Sequence, residues 1–355
     1  MKNRRLAWVI FLGIQVLLVQ ILGFFPSFVE RFYSNGLFPY ISSFSRIILG
    51  WIPFSVGDFI YFFVGFLLLL WVVNLFRKPK KWSAILIEMG AAVSVFYFLF
   101  HLLWATNYYR EPLFDKMQIE RDYSDADLLR FTKEMIRLTN ETQVAITNDS
   151  IVKVTSNLTQ EEIFEKSIEG YQILAEHHPF FAYKNLSMKK SLLSIPLSYM
   201  GFAGYLNPFT NEAQVNDRVP MTGFPMTVCH EMAHQIGYAS ESEANFIGFL
   251  TVTQNKNLHF KYAGYSTALL YCLSNWQARN PALAAQLVLE INAGVLDNYE
   301  DSRLHWLEYE GIIEDGSKGF YNHFLKANQQ QDGLESYSKF LNLLINYSKN
   351  NAITS

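Results

Sequence analysis

The chain has 355 residues, of which half are hydrophobic, 30 are phenylalanine and only 17% are charged, against ~25% in typical soluble domains. A net charge of −3 without any long basic block argues against a nucleic-acid partner. The two cysteines, Cys229 and Cys272, offer neither C-x-x-C spacing nor a disulfide framework.

The apolar excess lies in the first hundred positions. Lys2, Arg4 and Arg5 precede an uncharged stretch at residues 6–25, and twenty residues at ~1.5 Å each cross a ~30 Å hydrocarbon layer. No A-x-A cleavage site follows, so an uncleaved membrane helix is expected rather than a signal peptide. Residues 36–58 are apolar but interrupted by Pro39, Gly50, Pro53 and Gly57, with Arg46 in the middle. That pattern predicts an amphipathic segment on the membrane surface. Further spans are expected at residues 59–76 and 84–105, separated by the basic turn Arg77, Lys78, Lys80 and Lys81. Glu88 and His101 fall inside the third span with no partner evident from sequence. Both basic clusters belong on the cytoplasmic side, which places everything after the third helix outside the cytoplasm. The expected division is a three-helix membrane domain at 1–106 and an extracytoplasmic domain at 107–355, in a multi-pass protein of the cytoplasmic membrane.

In the second part, residues 124–139 carry helical apolar spacing behind an acidic first turn. Thr159 and Glu162 form a capping-box pair that opens a helix running to about Glu176. His177 and His178, adjacent in sequence, are assigned to the surface. Residues 191–216, rich in Gly and Pro, predict turns and short extended pieces, with 212–216 as a strand just ahead of the next helix. Such a strand either pairs with a substrate backbone or is a plain structural edge. Helices are then expected at 226–236, 240–255, 262–278, 281–290, 317–326 and 333–347, giving a mainly α fold with a small β portion.

Residues 229–249 carry the chemistry. His230-Glu231-Met232-Ala233-His234 is an H-E-x-x-H pattern. On a helix, positions i and i+4 share a face, so two imidazoles can hold one metal ion, and the glutamate between them can take a proton from an attacking water. Catalytic zinc usually takes a third protein ligand. Past Gly237, Ser240 and Glu243 have capping-box spacing, which would occupy Glu243 and leave Glu241 as third ligand, with Glu243 as the substitute. Asn245, four residues after Glu241, is placed to orient a ligand histidine. Cys229 reads as a small core residue. Tyr238, Tyr265, His305 and His323, with His259, are open candidates to stabilise an oxyanion.

These residues also carry a family resemblance. H-E-M-A-H-Q-I-G-Y-A-S-E-S-E-A-N-F-I-G, preceded by G-Y-L-N-P-F-T-N-E-A-Q-V-N, resembles a bacterial family of membrane-anchored proteins designated domain of unknown function 3810. P-F-S-V-G-D at 53–58 and F-L-K-A-N…G-L-E-S-Y at 324–337 resemble it too, so the likeness covers nearly the whole chain. That family in turn resembles the gluzincin zinc metallopeptidases, with two histidines and a glutamate as ligands. Glu241, Ala244 and Asn245 are similar to their E-x-x-A-D segment, with Asn in place of Asp and a short gap after His234. The resemblance implies a zincin-like zinc metallopeptidase domain and supplies no substrate; together with the motif chemistry it leads to the expectation of zinc-dependent hydrolysis of peptide or amide bonds in a peptide or protein substrate, with Glu231 as general base. The rival expectation is a non-catalytic, membrane-tethered binding or sensing protein with a structural or vestigial zinc site.

Overall fold

The computed structural model describes residues 2–328 and 337–351. Three of its helices are long and apolar enough to cross a membrane: α1 (Lys2–Leu22), α3 (Val56–Arg77) and α4 (Trp82–Leu103). Each carries 21 or 22 residues, or about 32 Å at the helical rise. α1 and α4 run parallel, because Arg5 meets Glu88 near their starts and Gln15 Nε2 donates to Ser94 Oγ (2.9 Å) further along. Glu88 also accepts from Lys80 (2.7 Å) and Trp71 Nε1 (3.2 Å). The N-terminus and the basic turn therefore share one end of the bundle, and Glu88 acquires the partners that sequence alone did not reveal.

The intervening segment is helical through Pro39 but breaks at residues 50–55, around Gly50 and Pro53. A π-helix at Glu30–Leu37 runs into α2 (Phe38–Leu49), where Pro39 lies in the first turn. A helix start tolerates proline because its missing N–H has no intrahelical acceptor there. α2 buries Phe38, Ser42 and Arg46, while Tyr40, Phe44, Ile47 and Ile48 form an exposed apolar face.

The rest of the chain is mostly helical, with one small sheet. α5 (Asp125–Thr147) runs eight residues beyond the predicted end, closing at Asn148 in the left-handed region (φ 60°). α6 (Gln160–His177) starts on the capping box of Thr159 and Glu162. His177 is exposed, but His178 is half-buried, its Nε2 3.1 Å from the Tyr347 hydroxyl. Three three-residue strands follow, β1 (Met188–Lys190), β2 (Gly204–Leu206) and β3 (Ala213–Val215), in the order β1-β3-β2, with β1 parallel and β2 antiparallel to β3. The predicted strand at 212–216 is therefore the central one, with both edges taken. The edge beside the H-E-x-x-H motif is β2.

Then come α7 (Phe224–Gln235), α8 (Glu241–Gln254), α9 (Leu258–Arg279), α10 (Pro281–Val288), α11 (Ala293–Leu307), α12 (Ile312–Ala327) and α13 (Tyr337–Ser348). The start expected at residue 333 lies outside the described residues. α11 has no counterpart among the expected helices. Its polar-rich sequence buries only Gly294, Val295 and Asn298, so its apolar periodicity is weak.

α7 and α8 form the centre of the main core, with Val228, Met232, Phe246 and Phe249 fully buried. A second cluster joins Phe38, Trp104 and Ala105 to Leu206 and Ala239, so the N-terminal segment and the motif region share a packed interface. An ion-pair network reinforces it. Arg110 donates from Nε and Nη2 to Glu30 (both 2.9 Å) and from Nη1 to the Gly237 carbonyl (2.8 Å), and its guanidinium lies 3.9 Å from the centre of the Tyr238 ring. Lys116 adds a third contact to Glu30 at 2.6 Å. Burial pushes Glu30 up, but Arg110 and Lys116 outweigh it and hold the carboxyl below its ordinary range.

Removing one partner from such a buried pair leaves the other charge uncompensated, at about 3–5 kcal/mol. Arg110→Met should lower stability by that amount in thermal or denaturant unfolding of the detergent-solubilised chain. Because the Glu30 pKa is depressed, its contribution is present above the ordinary carboxylate value of 4.5 and disappears as pH falls through the lower folded value. The variant should lose that part of the acid sensitivity.

Candidate metal centre

α7 presents His230 and His234 one turn apart, and the way it ends aligns the second of them. Gly237 (φ 90°) closes the helix: Tyr238 N donates to Ala233 O (3.2 Å) and Gly237 N to His234 O (3.0 Å). This is the Schellman pattern, which needs a residue at positive φ. The turn carries the Tyr238 carbonyl back to His234 Nδ1 at 2.7 Å. A Cβ on Gly237 would lie 2.9 Å from the Phe38 ring, so glycine is required both by the turn and by the packed N-terminal segment.

The three residues after Gly237 reverse the chain into α8, which crosses α7 closely. A Cβ on Gly248 would stand 3.1 Å from His230 N. That close approach lets a short connection bring Glu241 back to the histidines. Asn245 Oδ1 lies 2.8 Å from His230 Nδ1, the position expected for it. Glu243 turns the other way. Its Oε1 accepts from Leu113 N at 2.7 Å, and Ser240 makes no side-chain cap. The expected capping box is absent, and Glu243 is not in the group of side chains that converges with the two histidines. It is instead a buried carboxyl pushed up by desolvation, which the Leu113 bond and Arg110 only partly oppose.

The remaining groups converge. His230 Nε2 and His234 Nε2 are 3.1 Å apart, and the carboxylate of Glu241 stands 3.3 Å from the first and 3.7 Å from the second. Ligands on a tetrahedral zinc, with bonds of ~2.0–2.1 Å, are about 3.3 Å from one another. The Tyr238 carbonyl can only accept, so His234 Nδ1 carries a hydrogen. With its Oδ1 facing the ring, Asn245 asks the same of His230. In their neutral forms both rings then aim lone pairs at each other and at a carboxylate, an arrangement that requires positive charge between them. Burial pushes His230 down, but Glu241 draws it up to about 9, while burial takes His234 down to about 4 against the pull of Glu241. Burial likewise pushes Glu241 up, and the His230 bond and nearby imidazoles outweigh it, to about 2. One proton on His230 answers part of this demand. A divalent cation would satisfy all three groups at once, and the two-nitrogen, one-oxygen donor set suits zinc.

Glu231 is 4% exposed and its Oε2 has no hydrogen-bond partner. Burial pushes it up to about 8, against the charge of His230 and with that of Glu241. β2 runs directly beside it: a Cβ on Gly204 would lie 2.7 Å from Glu231 Oε1.

The chain matches the family described as a protein of unknown function, DUF3810, over residues 33–345. It belongs to that family. No curated protein and no solved structure matches it.

The centre opens into a cavity of about 1310 Å³. Its tyrosines differ from those singled out in the sequence. None of Tyr238, Tyr265, His259, His305 and His323 lines it, whereas Tyr108, Tyr205 and Tyr321 do. Tyr238 and Tyr265 are core residues, and His323 is exposed with Nδ1 on the Gly319 carbonyl. Tyr321 donates to Glu241 Oε1 at 2.5 Å. Eighty positions separate the two, and nothing in the local pattern of α12 marks the pairing. Trp104 is a second such residue, its Nε1 donating to the His234 carbonyl at 3.1 Å.

Elemental analysis of the purified full-length chain should find about one zinc, lost in His230→Ala, His234→Ala and Glu241→Ala but retained in Glu243→Ala. Asn245→Ala should keep zinc with affinity lowered about 10–100-fold, the usual cost of removing a group that orients a ligand histidine.

Proposed function

We propose that this protein is a membrane-anchored, zinc-dependent metallopeptidase of gluzincin-like type, with its centre on the extracytoplasmic side. The observation that carries the reading is the unpartnered, buried oxygen of Glu231 beside a three-donor cluster that opens into a cavity. A structural zinc site is closed by four protein ligands and has no use for a free carboxylate, whereas a catalytic one keeps a position open. This favours catalysis over the tethered-sensor alternative.

When bound, zinc would polarise a water and the scissile carbonyl. His230, His234 and Glu241 would hold it, with Asn245 and the Tyr238 carbonyl fixing the two rings. Glu231 would take the proton of the attacking water and return it to the leaving amine. Tyr321, kept protonated by burial and by the charge of Glu241, gives its one hydroxyl hydrogen to Glu241 and would steady a developing oxyanion by turning that hydrogen from the carboxylate to the oxygen.

A peptide backbone also has somewhere to lie. Ala203 and Asn207 bond to the chain flanking β3, so by antiparallel alternation Gly204 and Leu206 direct their backbone groups to the free edge of β2. That edge lines the cavity next to Glu231. An extended substrate added there would present an amide to the centre.

Glu231→Gln should retain zinc and lose about 10²–10⁴-fold in hydrolysis of a pooled peptide library followed by mass spectrometry. Equal cleavage by wild type and variant would overturn the assignment. Gly204→Ala should also keep zinc but cleave more slowly, because its methyl would displace Glu231.

A further inference from the structure

The cavity around the centre is uncharged apart from the motif region itself. Among the described residues that line it, Glu231 and Glu241 are the acids and His230 and His234 the bases, with no lysine or arginine. One wall comes from two helices. α9 contributes Tyr262, Ser266, Thr267, Leu270 and Tyr271, and α11 contributes Asn298, Tyr299, Ser302 and Trp306. Four of the polar side chains in this wall are spent within the protein. Tyr262 donates to Asn298 Oδ1 (2.8 Å) and Asn298 Nδ2 to the Val154 carbonyl (3.0 Å). Tyr299 donates to the Ser266 carbonyl and Ser266 to the Tyr262 carbonyl, both at 2.7 Å. What these groups offer a ligand is rings and hydrocarbon. Tyr61 of α3, Phe100 of α4 and Trp104 add more aromatic surface, and the Trp104 N–H is already given to the His234 carbonyl.

We propose that the enzyme is an endopeptidase that takes an internal, uncharged stretch of polypeptide. The proposal rests on the peptidase reading above and names its substrate class. A peptidase that trims chain ends has to hold the charged end at a fixed distance from the cut. A terminal carboxylate asks for a lysine or arginine, and a terminal ammonium for an unengaged carboxylate. The described lining has neither. Glu241 is committed to the histidines and to Tyr321, and Glu231 to the attacking water. Glu314, whose Oε1 would stand 3.2 Å from a Cβ on the lining residue Gly201, is paired with Lys318 at 2.5 Å. The free edge of β2 agrees with this. It would bind a substrate through backbone N–H and C=O groups, which every internal residue supplies and for which no chain end is needed. A charged side chain turned onto the α9–α11 wall would give up its hydration for no counter-ion, whereas an aliphatic or aromatic one would cover rings.

The test uses the detergent-solubilised, zinc-loaded full-length chain and a family of synthetic peptides sharing one apolar core. The core is offered with free ends, with acetyl and amide caps, and with lysine or aspartate substituted within it. Wild type should cut internal bonds of the core equally well in the free and capped forms, and about tenfold more slowly in either charged form. Ser302→Lys, and independently Thr267→Lys, both at half-buried positions of the wall, should shift the preference toward the aspartate form over the lysine form, which a loss of folding would not do. Binding is read separately, by titration calorimetry on Glu231→Gln, which should take the capped apolar peptide about tenfold more tightly than either charged form. Such selective binding without cleavage of any form would overturn the peptidase reading and leave the uncharged occupant standing. Cleavage confined to a free end would overturn the proposal and leave the peptidase. So would equal cleavage of charged and uncharged forms with no change of preference in Ser302→Lys and Thr267→Lys. Neither binding nor cleavage of any form would overturn both.

Discussion

Two imidazole nitrogens 3.1 Å apart, facing one carboxylate, form the constraint around which this molecule is arranged. Neither ring is free to turn away, because each is pinned through its other nitrogen, one by a backbone carbonyl and one by an amide oxygen. Each pin is itself fixed by the backbone. The carbonyl comes from a turn that needs glycine at Gly237, and the amide from a helix that Gly248 allows to approach. Electrostatic tension held this way persists only if the surroundings are rigid, and the almost fully buried α7–α8 pair supplies that rigidity.

The N-terminal helices are part of this arrangement and not merely a tether. Trp104, the residue after α4, bonds the carbonyl of His234, and Ser42 of α2 bonds the carbonyl of Gln235 at 2.8 Å. These carbonyls belong to the last turn of α7, where the i+4 N–H of a continuing helix is lost, and that of His234 otherwise takes the turn bond from Gly237 N. Arg110 does the same for Gly237. The segments on either side of the membrane-length helices thus complete the C-terminus of α7. P-F-S-V-G-D and N-P-F-T-N-E-A-Q-V-N, far apart in sequence, meet for a related reason. Glu212 accepts the first N–H groups of α3, where the helix dipole also favours a negative charge. A Cβ on Gly57 would come within 2.4 Å of the Asn207 side chain.

Much of this was legible in the sequence because it depends on local periodicity and local chemistry. Three apolar stretches of the right length, a capping box at Thr159 and the i, i+4 spacing of His230 and His234 each require only neighbouring residues to be read. Asn245 could be placed because a helical face repeats every four residues. The reading of Glu243 failed where a tertiary contact competed with a local one: Leu113 N, 130 positions away, takes the carboxylate that the cap would have used. The amphipathic segment expected at 36–58 is present as α2, with its break at Gly50 and Pro53 and not at Pro39, which lies in the first turn, and α11 was missed because few of its residues are buried.

The sequence by itself therefore determined the membrane-length helices and the helix face that carries His230 and His234, since each follows from spacing along a single helix, whereas the choice of Glu241 over Glu243 as the carboxylate that joins them was left to the tertiary structure. Only the tertiary structure decided which tyrosine enters the cavity, which strand has the free edge and that residues of two spans line the cavity. Those features depend on pairs such as Tyr321 with Glu241, Tyr205 with Asp58 and Trp104 with His234. Contacts between residues eighty or more positions apart leave no periodic trace, because they are fixed by how whole elements cross and not by the order of residues within any one of them.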